Sequence, residues 1–222
     1  MILAAGRGER MRPLTDTTPK PLLTAGGCSL IEHHLAALAR AGIGEVVINL
    51  SWHGEQIREQ FGSESEYGQN ITYSDEGPTA LETGGGIFRA LPLLGDAPFW
   101  LVNGDVYCDY QYSIRSLAPG DVGHLVLVPN PSHHPAGDFA LDRDRVGPRN
   151  ESALTYSGLA ILDPQLFAGC SDGKFPLAPL LTAAIEKRSL SGERFAGVWT
   201  DVGTPERLAA LDQRLTGHKT KP

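Results

Sequence analysis

The sequence predicts an α/β protein with a mostly parallel sheet, and three features support this prediction. Apolar stretches rich in branched residues, of which residues 45–50 are the clearest, alternate along the chain with amphipathic helical stretches. The β-loop-α-β order at the start of the chain requires a right-handed connection and parallel strands. A chain of 222 residues is also long enough to bury a large core in one or two domains.

Hydrophobic periodicity places the individual elements. The first predicted helix has the clearest start, because Ser29 and Glu32 have the spacing of a capping box, and Gly42 ends it. The last predicted helix has Thr204 as its cap and Pro205 at its first position. The predicted strands are 1–5, 45–50, 70–74, 99–103, 124–128, 156–162 and 195–202. The predicted helices are 29–41, 54–61, a segment ending near 94, 177–187 and the segment from 205.

Two connecting segments are expected to be less regular. Residues 142–152 are polar, and we expect them to form a hairpin or a mobile loop. The residues after Leu215 are polar as well, and we expect them to be frayed. The first strand begins at residue 1, which leads us to expect that a few residues precede it.

Composition and charge exclude several classes of protein. The formal net charge of -7 argues against a nucleic-acid partner. Three widely spaced cysteines without a C-x-x-C pair exclude a disulfide scaffold and a zinc ribbon, so we expect a cytoplasmic location. No apolar run approaches 18 residues, and we therefore expect no membrane partner. The sequence does not define the oligomeric state, and a monomer is compatible with it.

The loop after the first predicted strand has features that favour phosphate binding. Gly6 and Gly8 lack Cβ atoms, so their backbone amides can approach a ligand closely. Ligands of α/β sheets bind at the carboxyl ends of strands, where this loop lies. The prolines at 13, 19 and 21 are expected to keep the loop from becoming helical. The loop is neither a Walker A loop nor a G-x-G-x-x-G fingerprint, and its composition also fits an ordinary surface loop. Its cations are Arg7, Arg10, Arg12 and Lys20.

The spacing within this loop resembles the signature of the sugar-1-phosphate nucleotidyltransferases. The resemblance implies a Rossmann-like three-layer α/β/α nucleotidyltransferase fold with a mostly parallel, mixed central sheet. It also implies a single domain over residues 1–222, with a nucleotide-binding part at about 1–110, a sugar-binding part at about 111–222 and no C-terminal β-helix. The matching residues are Gly6, Gly8, Arg10, Met11, Arg12, Pro13, Leu14, Thr15, Pro19, Lys20, Pro21 and Leu22.

The resemblance assigns roles to residues of the loop. The family's arginine, here Arg12, stabilises the phosphates, and the lysine of its P-K-P element, here Lys20, approaches the sugar phosphate. Both side chains are therefore assigned to catalysis. The backbone that binds the nucleotide is assigned to Leu3, Ala4, Ala5, Gly6 and Gly8.

A second glycine-rich stretch, residues 75–86, leads into a helix. Three consecutive glycines at a helix start let a flat ring lie against the backbone, although a surface loop fits this composition as well. The stretch resembles the E-T-G-G-G element with which relatives bind the nucleotide base. The resemblance assigns nucleotide binding to Glu82, Thr83, Gly84 and Gly85.

Two carboxylates follow predicted strands. Asp105 comes after Asn103 and Gly104 at the end of strand 99–103, where ligands bind an α/β sheet, although an ordinary turn also fits. This N-G-D string resembles the family's metal-binding G-D element. Residues 199–205 resemble its W-x-D-x-G-T element, whose aspartate, here Asp201, is a second metal ligand. The resemblance implies Mg²⁺ bound by Asp105 and Asp201, with Asp105 also catalytic and Asn103 in the nucleotide site.

The second half of the chain is expected to bind the sugar. Adjacent histidines in a loop point apart, so we expect His133 and His134 to be solvated rather than to bind a metal. Segments 137–141 and 156–162 resemble those that line the sugar pocket in relatives. The Glu-Lys-Pro element that relatives often carry near residues 142–152 is absent. The resemblance assigns sugar binding to Gly137, Asp138, Tyr156, Ser157 and Gly158.

The activity that the resemblance implies is nucleotidyl transfer between two small-molecule partners, a nucleoside triphosphate and a sugar 1-phosphate. The compact length, the E-T-G-G-G and N-P-x-H-H-x-x-G-D-F strings and the missing Glu-Lys-Pro element most resemble members that use UTP and N-acetylmuramic acid α-1-phosphate in peptidoglycan recycling. Transfer of GMP to mannose 1-phosphate is the alternative. A catalytically silent nucleotide-sugar-binding regulatory module is an alternative of another class.

Overall fold

The computed structural model describes residues 1–218. The helices are α1 (Leu30–Arg40), α2 (Gly54–Phe61), α3 (Glu82–Leu94), α4 (Ala178–Glu186) and α5 (Pro205–His218). The strands of the first half are β1 (Ile2–Leu3), β2 (Thr24–Ala25), β3 (Cys28–Ser29), β4 (Glu45–Leu50), β5 (Asn70–Asp75), β6 (Phe99–Asn103) and β7 (Val106–Cys108). The later strands are β8 (Gly123–Val128), β9 (Ala140–Asp142), β10 (Arg145–Gly147), β11 (Thr155–Leu162), β12 (Leu190–Arg194) and β13 (Trp199–Asp201).

The chain folds into two compact units whose segments alternate along the sequence. The first unit comprises residues 2–80, 103–114 and those from 198 onward. The second unit comprises Met1 and residues 81–102 and 115–197. The single nucleotidyltransferase domain, with its functional division near residue 110, stays a prediction.

The first unit contains parallel strands, as the β-loop-α-β order predicts. β1 and β5 each pair in parallel with β4, with Ile2 opposite Ile48 and Glu45 opposite Asn70. The capping box of α1 is present, because the Ser29 N–H donates to the Glu32 carboxylate and the Glu32 N–H donates to Ser29 Oγ. Parallel strands bring their carboxyl ends to one edge of the sheet, and the predicted phosphate-binding loop follows β1 at that edge.

The loop itself contains short helical turns, and the prediction that its prolines exclude them was wrong. Three 3-10 turns cover Glu9–Met11, Leu14–Asp16 and Lys20–Leu22. A 3-10 turn needs only a single i to i+3 hydrogen bond, and the fixed φ of proline is compatible with its first positions. The first turn buries Met11 completely, in a cluster that includes Leu211 of α5.

The second unit contains a mixed sheet. β11 is antiparallel to both β6 and β8, while β12 is parallel to β8. β9 and β10 form an antiparallel hairpin, and β10 also pairs with β12. The hairpin expected in this region is therefore present, and helices accompany strands in both units. This arrangement confirms the predicted α/β fold with a mixed sheet.

The carboxyl-terminal part differs from the prediction in two places. The strand predicted over 195–202 is confined to Trp199–Asp201, which is β13, and residues 195–198, which contain Gly197, are not in a strand, in line with the weakening effect of glycine on strands. β12, at Leu190–Arg194, lies before the predicted strand and was not predicted. Helix α5 continues to His218, so the expected fraying is wrong for residues 216–218. The same expectation for residues 219–222 lies outside the described residues. No helix within residues 1–218 has the length and apolar character needed to cross a membrane.

Candidate active site

The two predicted metal ligands lie on neighbouring backbone segments of the first unit: Asp105 directly precedes β7, and Asp201 is the last residue of β13. β7 and β13 pair antiparallel, with Asp201 opposite Val106. The backbone N–H of Val202 donates to the Asp105 carbonyl at 3.0 Å. Two carboxylates separated by nearly one hundred positions in sequence are thereby held on adjacent backbone segments. Strand β7 was not predicted, because three residues are too few to show a period.

Each of these carboxylates is bound to a cation. Lys20 Nζ lies 2.6 Å from Asp105 Oδ2. Arg207 Nη1 lies 2.6 Å from Asp201 Oδ2. Lys20 was predicted for this site, whereas Arg207 was not, although its position three residues after the cap Thr204 places it in the first turn of α5. Each pair offsets the negative charge of its own carboxylate.

The donor set suits Mg²⁺ better than a cation that needs an all-protein cage. Mg²⁺ is commonly bound by one or two carboxylates and completes its octahedron with water and substrate phosphates. Asp105 and Asp201 are two oxygen donors, and both are partly exposed. Residues 1–218 contain no group of three or more His, Cys, Asp or Glu side chains that could hold a metal ion. The two carboxylates fit the implied ion, because Mg²⁺ takes few protein ligands and completes its shell with water and phosphate.

Gly104 brings Asp105 close to the predicted phosphate-binding loop. Its N–H donates to the Leu3 carbonyl at 2.9 Å. A Cβ atom at position 104 would lie 2.6 Å from that same oxygen, so a larger residue would push the two segments apart. Asn103 ends β6 one residue earlier and is half-buried. The N-G-D string thus sets the spacing between the loop and the carboxylate.

A buried polar pair that sequence reasoning missed supports the start of the loop. Asn49, near the end of β4, accepts the Ala4 N–H on Oδ1 at 2.7 Å. Its Nδ2 donates to Glu76 Oε1 at 2.6 Å. Both side chains are buried, and they link the carboxyl ends of three parallel strands. The feature of the sequence that could have revealed this pair was the side-chain amide of Asn49 within the apolar run of β4.

The predicted residues of the loop differ in how accessible they are to a ligand. Gly6 is exposed, and the space where its Cβ would lie is open. Gly8 has a φ of +63°, and a Cβ there would lie 3.0 Å from Thr15 Cγ2. The Arg12 side chain is 60% exposed and forms an ion pair with Asp16 at 3.1 Å. The structure thus leaves the Gly6 backbone and the Arg12 guanidinium accessible to a ligand, while Gly8 shapes the turn.

A short segment after β4 supports the outer side of the loop. The Arg7 guanidinium lies over the Trp52 ring, 4.8 Å from its centre. Trp52 Nε1 donates to the Thr15 carbonyl at 3.3 Å, and Gln56 Nε2 donates to the Thr17 carbonyl at 2.7 Å. These side-chain contacts to loop carbonyls hold the exposed part of the loop without needing regular structure.

In the second unit, the glycine-rich element lies within α3 and not before it. A Cβ on Gly85 would overlap the Gly173 carbonyl oxygen, and one on Gly84 would lie 2.5 Å from the Phe175 ring. The Gly85 N–H donates to the Phe175 carbonyl at 3.0 Å. Both glycines are therefore required by close chain packing, whatever they bind. The neighbouring Glu82 and Thr83 are exposed at the start of the helix.

Three of the predicted sugar residues lie together in the second unit. Asp138 Oδ2 accepts the Tyr156 N–H at 2.8 Å, and Asp138 Oδ1 lies 2.9 Å from His134 Nε2. The expectation that both adjacent histidines are simply solvated was wrong for His134, because it bonds to this carboxylate. Gly137, with a φ of +62°, has no room for a Cβ beside the Ala153 carbonyl. The neighbouring His133 is exposed.

The remaining two predicted sugar residues form a bulge in β11. The register between β11 and β8 shifts between Tyr156 and Leu159, and Gly158 has a φ of +83°. Ser157 is buried, and its hydroxyl donates to the Val126 carbonyl at 2.7 Å. Burial raises the pKa of Tyr156 above its ordinary value, so its phenol stays protonated. The bulge at Ser157 and Gly158 thus bends the strand where it passes Asp138.

Comparisons with known proteins agree with this geometry. Residues 1–119 match the family described as Nucleotidyl transferase. A protein of Neisseria meningitidis serogroup B named N-acetylmuramate alpha-1-phosphate uridylyltransferase is 49% identical, over 98% of this chain and 97% of its own. A mannose-1-phosphate guanyltransferase of Saccharomyces cerevisiae is 32% identical, over 93% of this chain and 61% of its own.

A solved structure shows the same fold. The crystal structure of a Bacillus anthracis protein assigned as a glucose-1-phosphate thymidylyltransferase, in complex with sucrose, superposes with a TM-score of 0.84. It covers 97% of this chain and 94% of its own, at 19% identity. The signature loop, the two carboxylates on adjacent segments and these similarities all indicate the same family. The chain belongs to the nucleotidyl transferase family.

Proposed function

We propose that the protein transfers the UMP group of UTP to N-acetylmuramic acid α-1-phosphate, which yields UDP-N-acetylmuramic acid and pyrophosphate. The proposal includes a cytoplasmic role in peptidoglycan recycling. The observation that carries the chemistry is the pairing of β7 with β13, by which Asp105 and Asp201 lie on adjacent segments, with Lys20 bound to Asp105. The choice of substrates is supported by the 49% identity to the Neisseria protein of that name.

The reaction that these residues would support is a displacement at phosphorus. A phosphate oxygen of the sugar 1-phosphate attacks the α-phosphorus of UTP, and the bond from that phosphorus to the bridging oxygen breaks to release pyrophosphate. The attacking phosphate is already ionised near pH 7, so no general base is needed. Catalysis then rests on alignment and on neutralising charge.

The protein's own cations and carboxylates divide this work. Mg²⁺ bound by Asp105 and Asp201 would supply charge neutralisation at the phosphates. Arg12, which is exposed and forms a solvent-facing ion pair with Asp16, can move to charge that builds on the phosphates in the transition state. Lys20 lies next to Asp105 and meets the charge that the sugar phosphate carries from the start.

The sugar side of the proposal rests on the surroundings of Asp138. The lactyl carboxylate of N-acetylmuramic acid needs a polar or cationic partner, and the missing Glu-Lys-Pro element removes an acidic side chain that would repel it. Among the basic residues of loop 132–149, Arg145 is bound to the buried Asp121. His134 contacts Asp138 directly. The proposal therefore favours His134 over Arg145 as the partner of this carboxylate.

A panel of the four nucleoside triphosphates against several sugar 1-phosphates, with pyrophosphate release as the readout, tests the proposal. We expect the highest kcat/KM for UTP with N-acetylmuramic acid 1-phosphate and a much lower value for N-acetylglucosamine 1-phosphate, because a site that binds a substrate group discriminates against analogues without it. Equal values for the two sugars would contradict the muramate assignment.

Two other outcomes would replace the proposal. A preference for GTP with mannose 1-phosphate would install the guanylyltransferase alternative, which the 32% identity to the yeast protein supports. Binding of nucleotide sugars without turnover of any pair would indicate the silent regulatory module.

A further inference from the structure

Arg207 is the residue of the active-site region that the sequence motifs left without a role. It lies in the first turn of α5, where its N–H donates to Thr204 Oγ1 at 3.4 Å. Its guanidinium binds Asp201 with a distance of 2.6 Å between Nη1 and Oδ2. A cation that binds Asp201 therefore has to compete with a positive charge already in place.

The two cations beside the carboxylates differ in how easily they can leave. The Lys20 side chain is only 8% exposed, so separation from Asp105 would leave a buried ammonium without its partner, at a large cost. The Arg207 side chain is 22% exposed and Asp201 is similarly exposed. Water can solvate a guanidinium released at that position. Arg207 is thus the cation that an incoming metal ion can displace, while Lys20 stays.

We propose, resting on the function proposed above, that Arg207 competes with the divalent cation for Asp201 and is displaced from it when the cation binds. Arg207 is a positioning residue in this scheme, because it holds Asp201 in place while the site has no metal ion. It also lowers the affinity of the free enzyme for Mg²⁺. Phosphate oxygens of the nucleotide supply further ligands to the cation, and these favour the cation over Arg207 at Asp201. The cation therefore enters together with its nucleotide.

Mn²⁺ binding to the protein without nucleotide tests this competition. The wild type, Arg207→Gln and Arg207→Lys are titrated with MnCl₂, and free Mn²⁺ is measured by electron paramagnetic resonance. Arg214→Gln, which removes the same charge from the same helix, is the matched control. We expect Arg207→Gln to bind Mn²⁺ roughly threefold to tenfold more tightly than the wild type. Arg207→Lys should lie between them, and the control should match the wild type.

The direction of the change distinguishes competition from damage, because a disturbed site would bind Mn²⁺ more weakly. Thermal melts confirm that each variant is folded, and Arg207→Lys serves if Arg207→Gln is not. Unchanged or weaker Mn²⁺ binding by a folded Arg207→Gln would overturn the competition and leave the proposed function intact. If the folded wild type and all variants fail to bind Mn²⁺, Arg207 is not what limits metal binding to the free enzyme and the inference is overturned. The effect of EDTA on turnover then decides separately whether Asp105 and Asp201 bind a metal ion.

Discussion

The two compact units hold their predicted site residues by different means. In the first unit, the side chains at the predicted metal site are held by one another in two ion pairs, Lys20 with Asp105 and Arg207 with Asp201. In the second unit, Asp138 is held by a backbone N–H, and Gly84 and Gly85 are fixed by the chain packed against them. Ion pairs can exchange partners when charged ligands bind, so the first arrangement is suited to a reaction between charged groups. Residues fixed by the backbone keep their positions, so the second arrangement is suited to a preformed binding surface.

The largest expected effect concerns the charged set of the first unit. Asp105→Asn and Asp201→Asn should each lower kcat by roughly a thousandfold, because each removes a charge that would hold the metal ion at the phosphates. Turnover should also require Mg²⁺. Steady-state pyrophosphate release with and without EDTA checks both statements, with circular dichroism to show that the variants are folded. Full activity in EDTA, or wild-type rates in both variants, would rule out the metal assignment.

The second effect separates the two cations of the signature loop. Arg12→Ala should mainly lower kcat, because Arg12 meets charge that builds in the transition state. Lys20→Ala should also raise KM for the sugar phosphate, since that charge is present before the reaction. We expect changes of roughly tenfold to a hundredfold in kcat/KM, measured with each substrate varied in turn. If Lys20→Ala raised KM for UTP alone, the two roles would have to be exchanged.

The sequence predicted the long elements well because their signals are local. Strand 45–50, helix 54–61 and strand 99–103 were predicted with their observed bounds, and the capping box of α1 is present. The signature loop and the two aspartates were recognisable for the same reason, since the matching residues are close together in sequence.

The features that the sequence did not reveal depend on contacts between distant segments. β7 is three residues long and becomes a strand only by pairing with β13. The structural roles of Arg207 and of the Asn49–Glu76 pair depend on hydrogen-bond partners that sequence periodicity cannot identify. The glycines of α3 are similar, because their closest neighbours, Gly173 and Phe175, lie about ninety positions away. Local pattern therefore supplied the candidate site residues, and tertiary contacts showed how they are held.

A pair of glycine substitutions sharpens the comparison between the units. Gly85→Ala should destabilise the protein by about 1–3 kcal/mol, because the added methyl group meets the Gly173 carbonyl in a packed region. Gly6→Ala should leave stability nearly unchanged, since the space beside Gly6 is open, but should raise KM for UTP. Urea unfolding and steady-state kinetics of both variants provide the measurements. A stable Gly85→Ala protein with impaired UTP binding would show that both glycines serve the ligand.

The smallest expected effect is on the acid stability of the first unit. His34 of α1 is fully buried, and burial lowers its pKa from 6.5 to about 4. This effect outweighs the hydrogen bonds that the ring makes to the backbone at Val106 and Asn103, which favour the protonated form. Between these two values the unfolded chain binds a proton at this residue that the folded chain does not. Stability therefore falls as the pH decreases from 6.5 towards 4, and is unaffected by His34 above that range.

The loss from this residue should be about 2 kcal/mol between pH 7 and pH 5, since one pH unit of differential protonation corresponds to about 1.4 kcal/mol. Urea unfolding at the two pH values measures it for the wild type, for His34→Gln and for His133→Gln, which removes an exposed histidine instead. His34→Gln should be less stable at pH 7 but should lose less on acidification, whereas His133→Gln should follow the wild type. An equal acid-induced loss in His34→Gln and the wild type would place the acid sensitivity outside this part of the first unit.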